Sequence, residues 1–480
     1  MWRSGWEMPV RVGLSLCCAA VLAVQALVQS PAPPLAHADA VVIAQALAQA
    51  RLEGIETPDP GAALDALASA DPSARESASA ALTSMAVGLA GAEHGMRIDP
   101  AAIDDGLALR PAYNAAADFA AARQAGRIAV WVRGLAPSDP AYGRLVAVRL
   151  RYAAIVAGGG WPAVPTGRSL KPGATDPRVP VLRRRLRAEG YAEAAPPASK
   201  PSAQAAPPDL YDPGLTGALR DFQADHALKA DGVLTPQTTD ALNVPAAARL
   251  AAIEANLERE RWLPRDLPAD RIEVDTGDPT AALFQHGAQV LTMRAIVGEA
   301  TKRTPTFASK VVAIEFNPPW IVPANIAARE LYPKARRSPG YFARNDYYVS
   351  KGQLIQRAGP KSALGYLKFV IPDRFDVYLH DTPARTLFAR DKRWLSHGCV
   401  RLEDPRDLAA ALLAPQGGDR ASVDADIATG VTHSTPLEVQ MPVFVVYRTV
   451  VAGPEGRVLF RPDVYGWDGK IELALAAAKF

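Results

Sequence analysis

The stretch FDVYLHD, residues 375–381, alternates between two faces as a β-strand does. One face receives Phe375, Val377 and Leu379, and the other receives Asp376, Tyr378 and His380. The polar face therefore presents a histidine and a tyrosine side by side to a cleft. This stretch predicts a β domain with side chains available for chemistry.

The composition is that of a soluble globular protein. The chain has 480 residues, of which 49% are hydrophobic and 21% charged, and its net charge is +3. That length predicts roughly two to four domains. So small a net charge gives no electrostatic argument for a nucleic-acid partner.

The N-terminus has the pattern of an export signal. Basic residues precede the apolar run VGLSLCCAAVLAVQALV, and Ala36-His37-Ala38 offers a cleavage site. We predict that residues 1–38 are a signal peptide and that the protein is periplasmic. Because the run of about 17 residues is at the lower limit for a membrane-spanning helix, an uncleaved anchor is the alternative.

Removal of that signal would leave Cys399, in the loop LSHGCVRLED (395–404), as the only cysteine. A lone cysteine cannot form an intramolecular disulfide, so it is either incidental or reactive. A thiol attacks only as thiolate, and histidine has a suitable pKa to take its proton. We expect His380 to be the base and His397 an orienting or oxyanion-side residue, while Gly398 allows close backbone approach.

Residue patterns divide the chain after the signal segment into four parts. Residues 39–170 are alanine-rich with helical spacing and predict a scaffold without visible chemistry, and residues 171–246 predict short helices. Residues 247–268 form a linking helix. Residues 269–480 have strand patterns, including a hairpin in LFQHGAQVLTMRAIVG, and residues 321–362 interrupt them as an inserted capping subdomain.

Part of the second segment, LTGALRDFQADHALKADGVLTPQTTDALN, is similar to the three-helix peptidoglycan-binding module. The matching positions are Phe222, Gln223, Asp231, Gly232, Thr238, Ala241 and Leu242. A Pro/Ala-rich insertion at residues 194–208 departs from the module and predicts an exposed, semi-extended loop. Glycan binding by this module is left open.

The site motif resembles that of the L,D-transpeptidases, whose catalytic domain is the YkuD-like fold. Their pattern is a first histidine, a spacer, [Ser/Thr]-His-Gly-Cys, and then Arg or Asn; here the matching residues are His380, Ser396, His397, Gly398, Cys399 and Arg401. The order of segments, with RTPTF and FNPPWIVP before the motif, resembles the large YcbB-like subclass. The implied fold is α+β and multi-domain: a helical scaffold, a peptidoglycan-binding module and a mixed β-sandwich-like catalytic domain with a lid.

The resemblance implies acyl transfer between peptide stems of the bacterial wall, without a metal or another cofactor. Cys399 would attack the carbonyl of the third stem residue, release D-alanine and form a thioester that an amine of a neighbouring stem resolves into a 3→3 cross-link. The N–H groups of Gly398 and Cys399 would hold the oxyanion. Donor and acceptor stems are the expected partners, other cell-wall synthesis proteins are candidates, and carbapenems are expected to acylate Cys399.

Five side chains are candidates for substrate contact: Arg401, Tyr378, Trp320, Asn317 and Ser396. Arg401 is placed to hold a carboxylate, with a surface salt bridge as the alternative. For Asn317, Trp320 and Tyr378 the alternative is packing.

Two other classes of function are compatible with the residues. A zinc-dependent wall hydrolase could use His380, His397 and Cys399 as ligands, although the chain has no H-E-x-x-H motif. A non-catalytic wall-binding protein could rely on residues 171–246 alone.

Overall fold

The computed structural model describes residues 33–110, 112–191, 207–478 and 480. Most of the predicted signal segment 1–38 and of the insertion 194–208 lies outside these residues. No helix within the described ranges is long and apolar enough to cross a membrane.

The N-terminal region is helical, as predicted. Its helices are α1 (His37–Leu52), α2 (Gly61–Leu67), α3 (Pro72–Glu93), α4 (Pro100–Ile103), α5 (Ala115–Gln124), α6 (Ile128–Arg133) and α7 (Pro140–Ala157). Helices α3, α4 and α7 each begin with proline after an aspartate cap whose carboxylate accepts a backbone N–H. Apolar residues such as Leu47, Leu82 and Phe119 form the core of this region.

The next unit contains α8 (Val179–Glu189), α9 (Pro213–Asp225) and α10 (Pro236–Leu242). Phe222 is fully buried, and the amide of Gln223 holds the following turn: it accepts from Gly232 N–H at 2.8 Å and donates to Val233 O at 3.0 Å. Gly232 has φ +72°, which favours glycine. These motif residues therefore serve the module's own fold.

Helix α11 (Ala246–Arg261) joins the units. It packs against α7 and against α17 (Asp468–Ala477), and it contacts the hairpin of β13 (Val450–Ala452) and β14 (Val458–Phe460) near the C-terminus. Its Asn256 is buried; the side-chain oxygen accepts from Thr449 N–H at 2.9 Å and from Val450 N–H at 3.2 Å.

The β domain is one mixed sheet that closes on itself. Its strands are β1 (Arg271–Asp275), β2 (Thr280–Gln285), β3 (Ala288–Gly298), β4 (Phe307–Phe316), β8 (Leu367–Val370), β9 (Leu379–His380), β10 (Trp394–Ser396), β11 (Val400–Leu402) and β12 (His433–Val446). Their order is β10-β3-β11-β9-β8-β4-β12-β1-β2, and β2 also pairs with β3. Helices α15 (Pro405–Leu413) and α16 (Arg420–Ala428) contribute to its apolar core. The predicted α+β architecture is confirmed, with the sandwich-like domain refined to a single closed sheet.

Residues 321–362 contribute their own small core beside the sheet. They contain β6 (Tyr347–Ser350), β7 (Gln353–Gln356), α12 (Ala324–Ile326), a π-helical turn (Ala327–Leu331), α13 (Tyr332–Arg337) and α14 (Tyr341–Arg344), and β5 (Trp320–Ile321) enters them. Val322, Ala327, Leu331 and Leu354 are buried together. We call this unit the lid.

The strand predicted over residues 375–381 is wrong in its first half. Only Leu379 and His380 belong to a strand, because the Asp373 carboxylate accepts from Phe375 and Val377 N–H and bends the chain there. Asp376 at the bend has φ +55°. Val377 and Leu379 are nevertheless buried, so the predicted inward face is kept.

Replacing Asn256 with alanine should leave two buried N–H groups without acceptors. At about 1–3 kcal/mol for each unsatisfied group, the thermal unfolding midpoint should fall by several degrees. Circular dichroism on the full chain would measure this. Asn325→Ala is the control, because Asn325 is exposed and, among the described residues, its side chain hydrogen-bonds only the adjacent Ile326 N–H. Equal midpoints for both variants would contradict the assignment.

Candidate active site

Strands β9 and β11 run in parallel and bring the predicted residues to one face. Leu379 pairs with Val400 and His380 with Arg401, and Val400 N–H donates to Tyr378 O at 3.1 Å. Leu379 and Val400 are fully buried in the core. Because side chains alternate, the outward face receives the other four: Tyr378, His380, Cys399 and Arg401.

His380 is placed as a neutral imidazole. Its Nδ1 lies 2.5 Å from the carbonyl oxygen of Asp381, so Nδ1 carries the proton and donates, and Nε2 is left to accept one. Burial, and then the positive charge of Arg401, lower the pKa of His380 to about 3, against the carbonyls of Asp381 and Leu364.

Cys399 is held as a thiol. Burial raises its pKa, although the backbone and hydroxyl of Tyr378 oppose that shift. Its Sγ lies 3.8 Å from the carbonyl oxygen of Asp376. Across the described ranges, no hydrogen bond joins Sγ to the ring of His380 or of His397. The two groups share a face, and proton transfer requires them to approach.

The loop before Cys399 is organised by Ser396, which is buried. Its hydroxyl donates to Cys399 O at 2.6 Å and accepts from Gly398 N–H at 3.1 Å. Two predictions are corrected by these bonds. Ser396 is engaged within its own loop rather than turned to substrate, and Gly398 N–H is not free to hold an oxyanion. Gly398 itself has φ +125°, which requires glycine.

Thr304, in the RTPTF segment, fixes the same loop from the other side. It is fully buried, and its hydroxyl donates to Gly398 O at 2.7 Å and accepts from Gly298 N–H at 2.8 Å. The carbonyl of Gly398 and the N–H of Cys399 point in opposite directions because they belong to one trans peptide. Holding the carbonyl therefore aims the N–H of Cys399. The motif quoted from the sequence contained this residue, but nothing in it indicated the contact.

The helical scaffold, whose sequence showed no visible chemistry, makes structural contacts with the loop that supports this site. Thr306 N–H donates to Gly106 O at 2.8 Å, Ala108 N–H donates to Thr306 O at 3.0 Å, and Asp104 pairs with Arg303 at 2.7 Å. The loop that carries Thr304 is thus clamped by the scaffold. A cavity of about 550 Å³ beside Cys399 is lined in part by residues 104–106.

His397 turns toward the lid. Its Nε2 contacts the carboxylate of Glu330, which also pairs with Lys302 at 3.1 Å. Burial raises the pKa of Glu330, but the hydrogen bonds from His397 and Lys302 outweigh this effect, and the pKa is lowered overall. Glu330 is a residue that the sequence did not reveal, because it lies in a segment without a clear period.

The remaining candidates fall into two groups. Tyr378 lies at the site: its hydroxyl interacts with Cys399 and Trp320, burial raises its pKa, and the Lys368 ammonium lies 4.8 Å from its ring centroid.

Asn317 is 2% exposed, and its amide donates to the carbonyls of Asp426, Ile427 and Val431 at 3.2–3.3 Å. The predicted substrate contact of Asn317 is corrected to a structural one.

Arg401 has no ion-pair partner within the described ranges, and its Nε is buried without a hydrogen-bond acceptor. Burial lowers its pKa, and Cys399 raises it. The surface salt bridge weighed for Arg401 is thus not formed, and a charged group beside the sulfur is free to take an anion.

A zinc site would need His380, His397 and Cys399 to converge. His397 is instead engaged by Glu330, and no group of three or more His, Cys, Asp or Glu side chains in the described part of the chain could hold a metal ion. The metal-dependent alternative therefore lacks a ligand set there.

Fold and site together define an α+β multi-domain protein with a sulfur and an imidazole on one sheet face. Residues 269–444 match the L,D-transpeptidase catalytic domain family (YkuD), residues 175–242 match the putative peptidoglycan-binding domain, and residues 34–148 match the scaffold domain. The chain thus carries a YkuD L,D-transpeptidase catalytic domain together with a peptidoglycan-binding domain.

Individual relatives are more distant. A putative L,D-transpeptidase of Haemophilus influenzae (strain ATCC 51907 / DSM 11121 / KW20 / Rd) is 34% identical over 211 residues, which cover 40% of this chain and 43% of the relative. The chain thus matches less than half of that relative's length.

Solved structures give weaker matches. An L,D-transpeptidase from Mycobacterium smegmatis is 14% identical, with 37% of this chain and 58% of that one covered and a TM-score of 0.21. A mutant form of the Enterococcus faecium L,D-transpeptidase is 13% identical, with 38% and 51% covered and a TM-score of 0.20. At these TM-scores the two structures establish nothing about the activity of this chain.

Thr304→Val should misalign the Cys399 N–H. We expect acylation of Cys399 by a carbapenem to slow about 10- to 100-fold, since an oxyanion donor is typically worth 10²–10³ in rate. Alkylation by iodoacetamide, which forms no oxyanion, should change less than about twofold, and Thr304→Ser should restore acylation. Thr276→Val is the matched control: Thr276 is equally buried, and its hydroxyl donates to Val446 O at 2.9 Å. Equal slowing of both reactions would indicate general loosening instead.

Proposed function

We propose that this protein is an L,D-transpeptidase that forms 3→3 cross-links between peptidoglycan stems through a Cys399 thioester, with release of D-alanine. The observation that carries the proposal is the β9–β11 pairing, which brings His380 and Cys399 to one face of the sheet, where Cys399 lines a cavity. The matched peptidoglycan-binding domain supports the wall polymer as substrate. Residues 39–170, 171–246, 247–268 and 269–480, with the lid at 321–362, are our proposed units.

Acylation begins with transfer of the thiol proton to Nε2 of His380 as Sγ attacks the carbonyl of the third stem residue. In the resting site, the low pKa of His380 and the raised pKa of Cys399 both disfavour proton transfer from the thiol to the imidazole. Arg401 contributes to the low pKa of His380. A substrate carboxylate bound to Arg401 would offset that charge and strengthen the base only when a stem is present.

The tetrahedral intermediate places a negative charge on the former carbonyl oxygen. Cys399 N–H is our candidate donor, since it is aimed by the Thr304 contact and, unlike Gly398 N–H, meets no acceptor among the described residues. The hydroxyl of Tyr378 is a second candidate because it interacts with the same sulfur. Donors fixed in advance of the reaction are the largest contribution in many acyl transfers.

Collapse of the intermediate breaks the peptide C–N bond, and His380 returns its proton to the departing D-alanine amine. The amine of an acceptor stem then attacks the thioester: a C–N bond forms, the C–S bond breaks, and the amine proton passes through His380 back to sulfur. Water competes for the thioester, so a covering lid favours the amine. Glu330 of the lid contacts His397, which gives the lid a point of attachment beside the site.

We infer that the protein acts in the periplasm after export. Its matched domains belong to families concerned with the cell wall. Leu35 packs in the scaffold core, and its N–H donates to the Ser79 hydroxyl at 2.9 Å. Cleavage after Ala38 would remove that contact, so we place the cleavage point before Leu35 and extend the proposed scaffold unit to begin there rather than at residue 39.

Intact-mass spectrometry tests the function directly. The full chain should gain the mass of one carbapenem, and the Cys399→Ser variant should form no thioester adduct. Incubation of the wild-type protein with disaccharide-tetrapeptide should yield a cross-linked dimer with loss of one D-alanine. A folded wild-type protein that forms neither adduct nor dimer would contradict the proposal. Activity abolished by a chelator and restored by zinc would favour a hydrolase instead.

A further inference from the structure

The lid carries a dense positive charge. Residues 321–362 contain eight lysines and arginines against two acidic residues, a net charge of +6, whereas the whole chain is only +3. The rest of the protein therefore has a net charge of −3. The positive charge is concentrated in the one inserted unit that contacts the nucleophile loop.

Four of these cations lie between the π-helical turn and the end of α13 and are exposed: Arg329, Lys334, Arg336 and Arg337. None of the four pairs with a carboxylate in the described ranges. We call them the basic cluster. Glu330, on the same segment, instead turns to His397 and Lys302. The segment thus directs its carboxylate to the site and its cations to solvent.

Elsewhere in the catalytic domain, arginines are commonly compensated. Arg271 pairs with Glu273, Arg448 with Glu260 and Arg461 with Asp275. Like charges three or four residues apart on a helix destabilise it by a few tenths of a kcal/mol, about as much as opposite charges stabilise it. The basic cluster is therefore an uncompensated positive charge on the unit whose Glu330 contacts the nucleophile loop, and such a charge attracts polyanions and raises their local concentration.

We propose that the basic cluster docks the carboxylate-rich stem peptides of a peptidoglycan strand and holds the polymer beside Cys399. This rests on the proposed function and adds a second contact with the same substrate. A strand presents many stem carboxylates in series, whereas a single soluble stem presents few. Docking should therefore favour polymer over monomer, through repeated weak contacts at high effective concentration. It should also weaken with salt, because exposed charges are screened.

Sedimentation with purified sacculi tests the proposal in a Cys399→Ala background, where no turnover occurs. Arg336→Glu/Arg337→Glu should reduce the pelleted fraction at low salt at least about threefold, and about 0.5 M salt should bring the parent down to the same level. The matched control is Arg127→Glu/Arg133→Glu on the scaffold: these arginines are also exposed, and the charge change is identical. Thermal unfolding of both variants verifies that they fold.

Unchanged pelleting of the lid variant would overturn the proposal, as would equal losses in both variants. Anionic lipid vesicles serve as a second probe, and loss of vesicle binding with sacculus binding retained would assign the cluster to a membrane instead. Because the readout is binding without chemistry, its failure is separate from failure of the proposed transpeptidation, which the mass measurement on wild-type protein decides.

Discussion

The parallel register between β9 and β11 is the constraint on which the site depends. Leu379 and Val400 form one Cα pair, and both are completely buried. Their burial in the core places their neighbours His380, Cys399 and Arg401 on the opposite face of the sheet, where His380 is itself only 4% exposed. A slip of one residue in either strand would turn the sulfur or the imidazole into the core and expose an apolar side chain, so hydrophobic burial itself specifies the juxtaposition of reactive groups.

A polar network then sets the fine geometry that burial cannot. Ser396 and Thr304 hold the two sides of the Gly398 backbone, and Tyr465 donates to Gly298 O at 2.8 Å behind Thr304. The scaffold clamps the same loop at Thr306. Parts distant in the chain therefore support one peptide group, and the catalytic domain does not shape its own site alone.

Sequence patterns predicted the parts of the site that depend on residues close together in the chain. Alternation in FDVYLHD correctly buried Val377 and Leu379, although it did not reveal the bend made by Asp373. Asn317 and Ser396 looked available because they are polar and near the motif. A pattern cannot show that a hydroxyl is used by its own loop, or that an amide meets carbonyls about 110 residues away. The contacts of Thr304 and Glu330 escaped for the same reason, since only the folded chain brings them to the loop.

The central claim is that the resting site stores a thiol and a neutral imidazole, so that the nucleophile forms only as reaction proceeds. The rate of Cys399 alkylation by iodoacetamide across pH 4 to 10 tests it most directly. The account predicts one rise, with a midpoint above the usual thiol pKa of about 8.5 and no plateau at neutral pH. A plateau of high reactivity between about pH 5 and 8, bounded by a lower inflection, would show a preformed thiolate–imidazolium pair and contradict the account.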